Sequence, residues 1–172
     1  LAMRNPLIRN AFRFIGLLLL QVLVFDNIRF GQYIHPYLYV LFLMLLPFQT
    51  PKWLLLLAGF FMGLGVDIFN KTPGLNAAAS VLLTFVRPFV INLTTRKNDI
   101  QDRFEPSPSE MGFKWFVVYA LILLIIHNLS LFLLEAFSLR LLGQTLLQVL
   151  LSVPVSLFMI MLVVYLFKPF KK

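Results

Sequence analysis

The sequence predicts an all-α membrane protein of six transmembrane helices with both termini cytoplasmic. Three observations carry that expectation. Of its 172 residues, 60% are hydrophobic and only 13% are charged, whereas globular chains run near roughly 45–50% apolar and 25% charged. The apolar residues gather into several runs of about the length that crosses a bilayer. The basic residues, which give a net charge of +8, cluster at alternate ends of those runs. In such a chain basic excess marks cytoplasmic ends rather than a nucleic-acid partner. The absence of cysteine excludes disulfides and thiolate metal sites.

Residues 1–172 are read as a single membrane domain with spans near 8–25, 33–48, 53–69, 74–93, 114–134 and 144–167. Arg4, Arg9 and Arg13 form a basic amino-terminal flank without acids. Span 1 follows from near Ile8 to Phe25, and with no small-residue cleavage pattern after it, it is read as retained. Asp26–Pro36 is a polar loop. Tyr37–Phe48 is apolar but only about 18 Å long as a helix, against a core of roughly 30 Å. Beginning it at Gly31 or Tyr33 helps, and it is expected to be the thinnest or most irregular span. Pro47, Pro51 and Lys52 mark a tight turn into span 3. Pro73 and Gly74 separate spans 3 and 4. Residues 94–112 form a charged cytoplasmic loop, and Ser138–Gly143 is a short connection between spans 5 and 6. Pro154 places a kink in span 6.

Orientation follows from Lys and Arg in the short loops. With six crossings, one side collects Arg4, Arg9, Arg13, Lys52, Arg96, Lys97, Arg103, Lys114, Lys168, Lys171 and Lys172, and the other only Arg29, Lys71 and Arg140. If Tyr37–Phe48 failed to cross, the basic loop and tail would be translocated against that rule.

The stretch around which the chain is organised is Gly59–Ser80, GFFMGLGVDIFNKTPGLNAAAS. Asp67 lies deep in an apolar run, where an unpaired charge is costly and a partner must exist. Gly59 and Gly63 precede it by eight and four residues, so the three share one helical face. The following helix opens with Asn76, Ala77, Ala78, Ala79 and Ser80. Small residues on facing helices predict close approach and a tight hairpin.

By helical rise, Asp67 lies roughly 22 Å from the inner face. Gln21, Ser80, His127, Asn128 and Gln148 fall within about a turn of the same height. Ser80, Asn76, His127 and Asn128 are the expected partners of the acid. This layer reads first as polar glue between helices; a small-molecule pocket opening outward or a proton relay are the alternatives. Arg87, about 10 Å from the inner face, is expected to snorkel to the cytoplasmic headgroups, with Pro88 bending its helix. The Arg96–Glu110 loop reads as solvated, with Phe104 hinting at a docking site. No HExxH, phosphate-cradling loop or nucleophile elbow appears, so no catalytic residues, cofactor or metal are expected.

Short-looped spans with this motif resemble the MreD family of bacterial rod-shape-determining proteins. The matching residues are Gly63, Gly65, Asp67, Pro73, Gly74, Asn76 and Ala77. The likeness covers the topology of the whole chain but only about twenty residues as a motif; Asn76 stands where a histidine is frequent, and the charged loop is long. The resemblance implies a non-enzymatic scaffold of the cell-elongation (peptidoglycan synthesis) complex in the bacterial inner membrane. It implies an MreC-like single-span partner, and through it RodA and a class B penicillin-binding protein, with MreB filaments on the cytoplasmic side. It also implies a fold like the substrate-binding subunits of energy-coupling-factor transporters. A vitamin-type transport subunit of that class is the alternative function, although span 1 lacks a paired small-residue motif at Ala11. A channel would need a continuous polar stripe, and the inner half is bare apart from Arg87.

Overall fold

The computed structural model describes residues 6–28, 34–95, 105–136 and 142–167. Its elements are α1 (Pro6–Leu20), continued by a π-helical turn (Gln21–Phe25), α2 (Val40–Met44), α3 (Lys52–Asn70), α4 (Leu75–Thr94), α5 (Pro108–Met111), α6 (Phe113–Ala136) and α7 (Leu142–Phe167). Among the described residues there is no strand. Among the described residues, five helical stretches are long and apolar enough to cross a membrane: Ile8–Phe25, Lys52–Asn70, Leu75–Thr94, Phe113–Ala136 and Gly143–Phe167.

The five long helices stand side by side, α1 against α3, α3 against α4, α4 against α6 and α6 against α7. Taking the end where α1 begins as the lower end, α1, α3 and α6 rise and α4 and α7 descend. The pairings fix this: Asp67 meets Asn76, Arg87 meets Tyr119, Asp26 meets Asn70, and Phe167 at the end of α7 lines a recess with Arg9 at the start of α1.

The second apolar stretch departs from its expected form. Residues 33–48 do not make one helix; residues 34–38 are irregular and the helix covers only Val40–Met44. Pro36 and Pro47 bracket the segment, and each biases the residue before it away from helical backbone. The segment is nonetheless the core of the molecule. Leu38 through Leu46 are all buried, and Tyr39, Val40, Leu43 and Met44 are wholly so. It runs down the interior from the level of Gln21 to that of Arg87, which it touches through the Leu46 carbonyl.

The α3–α4 hairpin packs as closely as its small residues allow. A Cβ on Gly63 would lie 2.5 Å from Ala77 Cα and 2.6 Å from Ala77 N, and would also strike the Asn76 carbonyl. One on Gly59 would lie 2.8 Å from both the Ser80 carbonyl oxygen and Thr84 Oγ1. The turn uses left-handed backbone at Lys71 (φ 56°) and Gly74 (φ 82°), the second a conformation that glycine adopts without steric cost. Pro73 lies exposed between them.

The charged loop is not wholly solvated. Residues 96–104, with Phe104, lie outside the described residues, but Glu105–Pro108 are buried. Glu105 receives hydrogen bonds from Arg9 and, at 3.0 and 3.3 Å, from Arg13, which ties the approach to α6 onto α1. The backbone N–H of Glu105 donates 2.9 Å to Glu110 Oε2. Length and charge concealed this, because one acid among several carries no mark of its partner.

Because the atoms facing Gly63 are backbone, no side-chain adjustment relieves a substitution there. Gly63→Ala is expected to cost about 1–3 kcal/mol by overpacking, and Gly63→Leu to prevent folding. Gly16→Ala, whose new methyl meets nothing within 4 Å, serves as the control, and thermal unfolding in detergent reads the difference.

Candidate functional site

Two groups of buried polar side chains flank the central segment, one at each end. The upper group starts at Asp67, which is 2% exposed. Its Oδ1 accepts from the Asn76 backbone N–H at 3.1 Å, from Asn76 Nδ2 at 3.0 Å and from the Thr72 hydroxyl. Its Oδ2 accepts from the Ala77 N–H at 2.9 Å. Those backbone groups belong to the first turn of α4, whose own N-cap, Gly74, has no side chain to offer. The first N–H groups of a helix lack intrahelical partners and carry the positive end of its dipole. Asp67 therefore caps α4 from the preceding helix.

Of its expected partners, only Asn76 is one. Ser80 and His127 instead meet Tyr39, whose hydroxyl lies 2.7 Å from His127 Nε2 and 3.3 Å from both Asn76 Oδ1 and Ser80 Oγ. Asn128 turns back on its own helix, donating to the Leu124 carbonyl at 2.9 Å. The buried atoms His127 Nδ1 and Asn128 Oδ1 have no hydrogen-bond partner among the described residues. Gln148 is half-buried and stands outside the group. The direct polar layer expected around Asp67 is thus a chain, Asp67–Asn76–Tyr39–His127, and the sequence reading missed its central member. A tyrosine in an apolar run looks like any interfacial aromatic until the fold buries its hydroxyl.

Above Tyr39 the irregular backbone is held by side chains from other helices. Gln21 Oε1 accepts from the Leu38 N–H at 2.7 Å, while its Nε2 donates to the Pro36 carbonyl at 3.1 Å and to Asp26 Oδ1 at 2.7 Å. Gln21 opens the π turn of α1; such turns interrupt the ordinary helical register. Ser152 and Ser156 of α7, one on each side of Pro154, accept from the N–H groups of His35 and Tyr37, each at 3.0 Å.

The lower group centres on Arg87, which is 1% exposed. It does not snorkel. Its Nε donates to the Tyr119 hydroxyl at 2.9 Å and its Nη2 to the carbonyls of Leu46 and, at 3.4 Å, Met44. Tyr119 donates to the same Met44 carbonyl at 3.1 Å. Together they satisfy the carbonyl of Met44, the last residue of α2, and that of Leu46 just beyond it, at a helix end where a cation is favoured by the dipole. Snorkelling gives way because α2 ends beside Arg87 and carbonyl oxygens at that end take the guanidinium inside the core. Trp115, stacked on Tyr119 at 4.8 Å, donates to the Thr94 carbonyl at 3.1 Å and so caps α4 below.

Two recesses flank this core. An upper cleft of about 340 Å³ is bordered by Asp26, His35, Asn70, Thr72, Asn76 and Glu135. A lower groove of about 390 Å³ lies between α1 and α7 and is almost wholly apolar. Among the described residues, no three His, Asp or Glu come together as metal ligands.

Long apolar helices around a buried, side-chain-tethered segment define a multi-pass helical membrane protein. Comparison with protein-family models, curated proteins and solved structures found no match.

Replacing Asp67 by Leu orphans the N–H groups of Asn76 and Ala77 in apolar surroundings, at roughly 1–3 kcal/mol each. Asp67→Asn keeps one acceptor and is expected to cost about 0.5–2 kcal/mol, as loss of a cap does. Melting in detergent should rank wild type above Asn above Leu. Arg87→Met removes the charge-assisted bonds to α2, worth about 1.5–3 kcal/mol each, and should lower the melting temperature more than a substitution at exposed Lys52.

Proposed function

We propose that this chain is a non-enzymatic subunit of the MreD type, a scaffold in the bacterial cell-elongation complex that receives a single-span, MreC-like partner in the inner membrane. The observation that carries the reading is the α3–α4 hairpin. The residues on which the resemblance rests are one mechanical unit: Gly63 sets the closeness, Asp67 caps α4, and Gly74 and Asn76 complete the turn. A second support is the use made of the polar interior. Gln21, Tyr39, Asp67, Asn76, Arg87 and Tyr119 are hydrogen-bonded to the chain itself, which suits a rigid platform. In this reading the buried segment 34–48 supplies the sixth crossing, and the lower end, with Arg9, Arg13, Lys52 and Lys114, faces the cytoplasm.

The experiment is affinity purification from native bacterial membranes. The MreC-like partner, RodA and a class B penicillin-binding protein are expected with the wild-type chain, and less of them with Asp67→Leu. Their absence at normal expression of the wild type would remove the proposal.

The upper cleft favours a second reading, a ligand-binding subunit of the energy-coupling-factor type. Its polar border of Asp26, Asn70, Thr72 and Asn76 faces away from the lower end. A native mass spectrum decides: a reproducible small-molecule adduct supports this reading, and a bare chain supports the scaffold.

A further inference from the structure

The long helices leave a groove between α1 and α7 that reaches inward to the side of α2, where Leu41 and Leu45 are 2% and 7% exposed. The resulting groove has Leu41 and Leu45 as its floor, Gly16 and Leu17 on one wall and Val163 and Val164 on the other. Its lower end carries Arg9 and Arg13. Among the described residues no acid lines it, and the two arginines share an ion pair with Glu105. The side chains of Arg9 and Arg13 remain 34% and 17% exposed.

We infer that this groove binds an anionic glycerophospholipid, one acyl chain lying over Leu41 and Leu45 and the phosphate reaching Arg9 and Arg13. What separates a lipid from a protein helix as occupant is the pair of guanidinium groups at one end of an otherwise apolar lining, which suits a phosphate above an acyl chain and not the apolar face of a helix. Charge decides against a zwitterionic lipid: guanidinium forks match phosphate oxygens, and basic pockets between membrane helices are where anionic head groups settle. Glu105 holds both forks at the mouth, and a lipid phosphate competes with it for them. The inference rests on the groove alone and stands whichever function is correct.

The test uses the full chain in nanodiscs of phosphatidylcholine with or without phosphatidylglycerol, followed by gentle release and native mass spectrometry. Wild type is expected to retain phosphatidylglycerol at least about fivefold over phosphatidylcholine at equal abundance, the factor that about one net basic charge at a membrane surface supplies. Gly16→Phe sends a ring into the groove from a position where a Cβ meets nothing within 4 Å, and should abolish the retention while the fold survives. Glu105→Gln removes the carboxylate that both arginines share and should raise retention, a gain that Gly16→Phe added to it should cancel. Equal retention of the two lipids, unchanged retention in Gly16→Phe, or no gain in Glu105→Gln would overturn the assignment. So would a co-purifying single-span protein displaced by Gly16→Phe without change in bound lipid.

Discussion

Non-helical backbone cannot lie in hydrocarbon unless something supplies its hydrogen bonds, and this chain runs such backbone through the middle of its helices. Residues 34–38 have no helical ladder, and α2 is too short to satisfy its own ends. The missing partners come from every side: Gln21 from α1, Ser152 and Ser156 from α7, Arg87 from α4 and Tyr119 from α6. The surrounding helices are thereby held in register with one another through the segment they enclose. An unmet amide or carbonyl in this setting costs several kcal/mol, so the tethers are conditions of the fold rather than additions to it.

The α3–α4 hairpin solves a related problem at the upper end. A helix that begins with glycine has no side chain for its first amides, and Asp67 reaches across to serve them. That reach is short only because Gly59 and Gly63 let the two backbones nearly touch. The acid and the glycines are therefore one device. Asn76 then extends it, donating to Asp67 and accepting from Tyr39, and so joins the hairpin to the central segment.

At the lower end the same economy appears with opposite charge. Arg87 meets the carbonyl end of a short helix, and Glu105 meets two arginines of α1. The side between α1 and α7 is the exception, where a groove reaches inward to Leu41 and Leu45 of the enclosed segment. Lipid on that side would complete an enclosure that the protein leaves unfinished.

Much of this was legible in the residues. Apolar runs and loop charges announce a helical membrane protein because bilayer thickness and backbone hydrogen bonding leave few other forms. The close hairpin was readable as well, since Gly59, Gly63 and Asp67 repeat at helical spacing. The second stretch was visibly too short, with Pro36 and Pro47 at its edges, but its burial was not visible. The partners of Arg87, Gln21 and Tyr39 lay further out of reach, for they are main-chain atoms of a segment remote in sequence. Periodicity says which face a side chain shares; only the tertiary fold decides which carbonyl or amide waits there, because any residue's backbone offers the same oxygen and the same N–H.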